Sequence, residues 1–95
     1  MTALGDVAVV GNFRNRFLEA PLAEVIDPAL LALLASSDVC MANVECVLTD
    51  SRDFEVPGYG LWAPPEVARV FREMGVTIAT LANNHIRDVG DAGVL

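Results

Sequence analysis

Lysine is missing from all 95 residues; the six basic side chains are all arginine, against 13 acidic ones, for a net charge of −7. A chain of this sign offers no electrostatic footprint for nucleic acid or for an anionic lipid surface. Only two cysteines are present, Cys40 and Cys46, too few for a disulfide framework. Cys40 stands inside an apolar run and reads as a small buried hydrophobe. The N-terminus, MTALGDVAVV, has neither a basic n-region nor a long apolar h-region, so it does not read as a secretory signal. No apolar run approaches the roughly 20 residues of a membrane-spanning helix. A cytoplasmic, reducing compartment is therefore the default expectation. Internal repeats and low-complexity tracts are absent as well.

Apolar side chains, by contrast, are plentiful. The chain is 54% hydrophobic, with a mean hydropathy of +0.46. A domain this short buries a smaller share of its surface than a larger one, yet the composition exceeds what an isolated domain of that length needs. Exposed apolar surface favours association. The expectation is a homo-oligomer, or a chain that forms one part of a larger fold.

Three short apolar runs, Val7 to Val10, Val39 to Val44 and Val76 to Ala82, are rich in β-branched and small residues. Nearly continuous runs of this kind predict strands covered on both faces of a parallel sheet. Between them, Asp27-Pro28 supplies an N-cap and a first-turn proline for a helix through Leu30, Leu31, Leu33 and Leu34, ended by Ser36-Ser37. A second helix is predicted from Pro64-Pro65 to Met74, with Gly75 as its stop. Its Val67, Val70, Phe71 and Met74 make one apolar stripe, and Arg69 and Glu73 are spaced for a weak i,i+4 pair. Both the leucine cluster and the valine-to-methionine stripe are read as core. Thr49 to Trp62, with Asp50, Asp53, Pro57, Gly58 and Gly60, reads as an irregular surface excursion, with Tyr59 and Trp62 packed beneath it. The alternation predicts an α/β fold of parallel βαβ units.

Ligands of open parallel sheets collect at the carboxyl ends of the strands. Asp6 lies close to the start of the first predicted strand, and Gly11-Asn12 follow it. The second strand ends in Asn43-Val44-Glu45, the third in Asn83-Asn84-His85 with Asp88 and Gly90 after it. Carboxylates, carboxamides and an imidazole suit Mn, Mg, Fe or Zn. Such ions can activate a water and neutralise a phosphoryl oxygen. The plain alternatives are a turn for Asn83-Asn84, since asparagine tolerates turn conformations, and a solvated strand end for Glu45. The arginines form no cluster along the sequence and read as a solvated face.

Three segments, LGDVAVVG, DVCMANVECVLTD and LANNHIRDVGDAGVL, together with the linking LWAPPEVARVFREMGVTIATLANNH, resemble the CapA/PgsA family of poly-γ-glutamate capsule biosynthesis proteins. That family is itself similar to the calcineurin-like metallophosphoesterases. The resemblance covers nearly the whole chain and implies a metallophosphoesterase-like α/β sandwich of which residues 1–95 form a single partial, N-terminal domain. By the same resemblance Asp6, Asn43, Glu45 and Asn84 would lie at divalent metal ions, and His85 would be the catalytic residue that protonates a leaving group or stabilises an oxyanion. Asn83 and Asp88 would support them, Asp88 by orienting His85 or by capping the next helix. Ala8 stands where the phosphoesterases have a histidine, which leaves one ligand to be supplied otherwise. Full-length relatives continue past this point with further histidine-containing motifs, so a chain of this length alone is expected to lack a complete metal centre. The family acts at the cell envelope, against the cytoplasmic default. The competing reading is a non-catalytic interaction module that folds by self-association or by pairing with a C-terminal portion.

Overall fold

The computed structural model describes residues 1–51, 54 and 60–94. Three strands form a parallel sheet in the order β1-β2-β5: β1 (Thr2–Val7), β2 (Cys40–Val44) and β5 (Ile78–Thr80). Between β1 and β2 run three short helices, α1 (Phe13–Glu19), α2 (Leu22–Val25) and α3 (Pro28–Ala35). Two-residue strands β3 (Val47–Leu48) and β4 (Trp62–Ala63) pair in parallel as a second small sheet. A 3-10 turn at Pro65–Val67 leads into α4 (Ala68–Glu73), and α5 (Gly90–Val94) follows the loop after β5. The predicted parallel α/β architecture is what the chain adopts.

The two predicted helices form for the stated reasons. The Asp27 side chain accepts a hydrogen bond from the Ala29 amide at 2.7 Å, and α3 ends at Ser36, whose hydroxyl donates to the Leu33 carbonyl at 2.7 Å. Gly75 takes φ 92° just beyond α4, a conformation open to glycine at no steric cost. Arg69 and Glu73 pair at 2.8 Å on the exposed face, where such a pair contributes little. Val67, Val70, Phe71 and Met74 are all buried. They pack in one cluster with Leu34, Cys40 and Val44, which joins α3 and α4 to the inner face of β2.

Three expectations need correction. The first strand is Thr2–Val7, not Val7 to Val10. Its pairing begins where the Thr2 amide donates to the Val39 carbonyl at 2.8 Å and ends where the Glu45 amide donates to Val7 at 2.9 Å. Val9, 2% exposed, is core without being strand. The sheet is also not covered on both faces. β2 alternates buried and half-buried residues, because the helices contribute core on one side of it only, and all three residues of the edge strand β5 are exposed. Finally, the leucine cluster divides: Leu34 is 1% exposed, but Leu30 and Leu33 are 41% and 58% exposed, since α3 turns a single stripe inward.

Some of the fold is not foreseen from the sequence. Helices α1 and α2 lack side-chain caps; the Phe13–Phe17 spacing, with ring centroids 6.5 Å apart, is their one local signal. The excursion after Thr49 proves to be pinned at its base. The Val47 amide donates to the Leu61 carbonyl at 2.8 Å and the Thr49 amide to Ala63 at 2.9 Å. Asp53, Pro57, Gly58 and Tyr59 lie outside the described residues. No helix among the described residues is long and apolar enough to cross a membrane.

The split within α3 generates a prediction. Leu34→Ala removes a fully buried side chain and should destabilise by about 2–5 kcal/mol, much of the margin of so small a domain. Leu33→Ala should change stability by less than about 1 kcal/mol. Urea unfolding followed by circular dichroism measures both, and equal effects would contradict the assignment of the inner stripe.

Candidate functional site

The register of the sheet lines up the polar strand ends. Asp6 of β1 stands opposite Asn43 of β2, and Asn43 opposite Thr80 of β5. A shift in register between Ala3 and Asp6 adds a residue to β1. Asp6 therefore sits next to the carboxyl end of its strand rather than near the start, as the sequence suggested. The row lies on the half-open face of the sheet, away from the core side chains Cys40, Ala42 and Val44 of β2.

Contacts run along this row. The Asn43 amide nitrogen donates to the Asp6 carboxylate at 2.8 Å. The Asn43 oxygen accepts from the Asn83 side chain at 3.1 Å, and the Thr80 hydroxyl lies 3.3 Å from the same oxygen. Asn83 donates a second bond to the Val44 carbonyl at 2.9 Å, and its own oxygen accepts from the His85 backbone amide at 3.1 Å. That last bond closes an Asx-turn. Asn83 is thus both the turn residue of the plain reading and the link that ties the loop to the sheet end.

Beyond the turn, His85 Nδ1 lies 2.9 Å from the Asp88 carboxylate, with the two side chains 16% and 11% exposed. A carboxylate oxygen only accepts, so Nδ1 carries the hydrogen and Nε2 is left for chemistry. The same Asp88 oxygen accepts from the Leu61 amide at 2.7 Å. Of its two expected roles, Asp88 orients His85, and it also fastens the loop to the entrance of β4.

The remaining candidates are placed less tightly. Glu45 follows β2 directly, half-buried, with its amide on Val7, so it lies at the carboxyl ends of both β1 and β2. Asn84 is exposed on the loop. Among the described residues, no three of His, Cys, Asp and Glu gather into a group able to hold a cation. The nearby Cys46 is buried, and burial raises its thiol pKa; a backbone contact with Val9 and the Arg14 charge oppose the rise. Cys46 is therefore a protonated core thiol at neutral pH.

Two features were not foreseen. Thr80 joins the polar row as the last residue of β5, and as a polar residue inside the apolar run Val76 to Ala82 it was the available signal. Arg14 of α1 stacks over the Trp62 ring, with Cζ 3.7 Å from the centroid, while its Nε donates to the Trp62 carbonyl at 2.6 Å. Such stacking contributes about 0.5–1 kcal/mol near a surface. It holds α1 against β4, and Trp62 is engaged by Arg14 as well as by its own strand.

Comparison with known families then decides the relationship. A model of the bacterial capsule synthesis protein PGA_cap matches residues 1–95. The chain belongs to this family. A search of the curated proteins gives no match. Membership makes the protein a CapA-like capsule synthesis protein, and the polar row lies within the matched region of this family member.

The double use of Asp88 can be tested. Asp88→Ala leaves the Leu61 amide and His85 Nδ1 without their acceptor and should destabilise by about 1–3 kcal/mol. Asp88→Asn keeps an accepting oxygen and should lose less than half of that. Chemical unfolding of the two variants beside the parent chain gives the comparison. An Ala variant as stable as the parent would contradict the tether.

Proposed function

We propose that the polar row at the sheet end is part of a metal-dependent, phosphoesterase-type hydrolytic site of a CapA-like protein. The supporting observation is the unbroken set of contacts from Asp6 through Asn43 and Asn83 to His85, at the carboxyl ends of parallel strands where α/β proteins bind ligands. The donors are hard oxygens and an imidazole, the set that suits Mn, Mg, Fe or Zn. Asp6, Glu45 and Asn84, with Asn43 adjoining, would hold part of a coordination shell, to which Ala8 contributes nothing. Such an ion, when bound, polarises a phosphoryl or carbonyl oxygen and lowers the pKa of a water.

The chain's own residues do the rest. His85, with Nδ1 held by Asp88, presents Nε2 as the nitrogen that passes a proton to a departing group. Asn83 keeps the loop at the strand end, so that His85 and Asp6 share one rim. The partial donor set supports a site completed by further groups, from a C-terminal portion or a second chain.

Calorimetric titration with Mn2+ tests this reading. The parent chain should release heat on binding. Asp6→Ala and Glu45→Ala should each weaken affinity at least ~10-fold, the scale on which even outer contacts to a metal act. His85→Ala should still bind, because His85 is placed as the proton donor. Negligible heat in every sample would overturn the metal assignment.

A second reading is favoured by one observation, the exposure of large apolar side chains on several elements. Phe13 of α1, Ile78 of β5 and Leu81 after it are 60%, 46% and 51% exposed, and among the described residues β5 pairs along one edge only. Exposed apolar area of this kind marks association surfaces. In this reading the chain is an interaction module that pairs with a second copy. Sedimentation velocity over a range of concentrations should show a growing dimer fraction. A folded, strictly monomeric species at the highest concentration would exclude it.

A further inference from the structure

We infer that Asn43 is a positioning residue: its carboxamide is a two-way bracket that holds Asp6 on one side and the Asn83–His85 loop on the other. Asn43 was expected among the metal-binding donors, and the geometry points to a different task. A carboxamide has one accepting oxygen with two lone pairs and one donating nitrogen. The oxygen accepts from Asn83 Nδ2 at 3.1 Å; the Thr80 hydroxyl lies 3.3 Å from it and 3.4 Å from the Ala42 carbonyl, with one hydrogen to give to either. The nitrogen donates to Asp6 at 2.8 Å. A metal ion at the oxygen would compete with the Asn83 donor.

The orientation of each carboxamide follows from partners that have no choice. The Val44 carbonyl can only accept, so the Asn83 atom 2.9 Å from it is the nitrogen. The His85 backbone amide can only donate, so the Asn83 atom 3.1 Å from it is the oxygen. With Asn83 fixed in this way, Asn43 must turn its oxygen toward Asn83 and its nitrogen toward Asp6. The direction of every bond from Asp6 to the His85 amide is thereby set, and a displacement at one end is felt at the other. Networks of this sort rigidify when every member is satisfied, and each carboxamide nitrogen and oxygen of Asn43 and Asn83 has a partner. Asn43 hydrogen-bonds both Asp6 and the loop anchor Asn83, and it lies in the central strand of the sheet.

The consequence is a preorganised rim. Asp6 and His85, on opposite edge elements of the sheet, keep their spacing before any ligand arrives, a condition that catalytic geometry requires. This inference rests on the proposed reading only in treating this rim as the functional one; the bracket itself exists without an ion.

NMR hydrogen exchange on the 15N-labelled, metal-free chain tests it. In the unaltered protein the side-chain NH2 protons of Asn43 and Asn83 should exchange far more slowly than those of exposed Asn12, Asn15 and Asn84. Asn43→Leu removes both halves of the bracket while filling the volume. It should accelerate exchange of the His85 backbone amide on the order of tenfold, while the Val47 and Thr77 amides elsewhere in the sheets stay protected. Fast exchange of the Asn43 NH2 in the unaltered protein would overturn the inference, as would an unchanged His85 amide in a folded Asn43→Leu variant. If that variant loses all protection, it has unfolded, and the side-chain measurement on the unaltered chain decides alone. A Zn2+ titration followed in the same spectra separates this inference from the metal reading. Resonances of Asp6 and Glu45 that stay still while the Asn43 NH2 remains slow reject the ion and keep the bracket; the reverse pattern keeps the ion and rejects the bracket.

Discussion

The in-register pairing of three parallel strands is the constraint on which the rest depends. It places Asp6, Asn43 and Thr80 opposite one another in one row. A one-residue slip in a strand exchanges its two faces and would send Asn43 into the core and Val44 to the surface. The cost of burying a carboxamide without partners works together with the burial of Cys40, Ala42 and Val44 to exclude that slip. The register shift in β1 serves the same end. Without the extra residue between Ala3 and Asp6, the pairing that sets Ala3 against Met41 could not also set Asp6 against Asn43.

Legibility in the sequence tracked how local the cause was. Helices α3 and α4 were readable because their signals are local: Asp27-Pro28 at one start, Pro64-Pro65 at the other, Gly75 at one stop. The central strand was readable because Val39 to Val44 is a nearly continuous apolar run, broken only by Asn43, whose inward residues Cys40, Ala42 and Val44 are buried. The first strand was misplaced because Val7 to Val10 is the more apolar half of that segment. Strand identity there is decided by pairing with β2, which is nonlocal. Leu30 and Leu33 looked like core for the same reason: apolar content was visible, whereas the number of layers stacked on the sheet was not. Of the site, the residue types and their strand-end positions could be read. The bond directions among Asn43, Asn83 and His85, and the reach of Asp88 to the Leu61 amide, could not, since they join segments far apart in the chain.

The loop after β5 has two anchors of different kinds. At its start Asn83 binds the large sheet through Asn43 and Val44. At its end Asp88 binds the small sheet through Leu61. Three backbone hydrogen bonds within residues 83–90, from Ile86 to Asn83, Asp88 to His85 and Gly90 to Arg87, leave the intervening chain little freedom. His85 lies between the two anchors, and its ring is turned by the second of them. A histidine that merely faced solvent would need neither a half-buried carboxylate on Nδ1 nor a pinned backbone amide. The double anchoring is a physical reason to regard this loop as built around His85.

The open face of the sheet bears on the same question from the opposite side. Ordering the loop has an entropic cost. Part of the compensation comes from the Asn43–Asn83 and Asn43–Asp6 bonds on the uncovered face, where water competes with each of them. A polar row maintained there by mutual hydrogen bonds, next to exposed Ile78, would gain strength once a further layer excluded water from it. Ile78 therefore shares its face with the polar rim. A partner that covered this face would lower the local dielectric around Asp6, Asn43 and Asn83 and stiffen the row beside His85. Association and site chemistry, proposed as separate readings of the chain, would then be coupled through that one face.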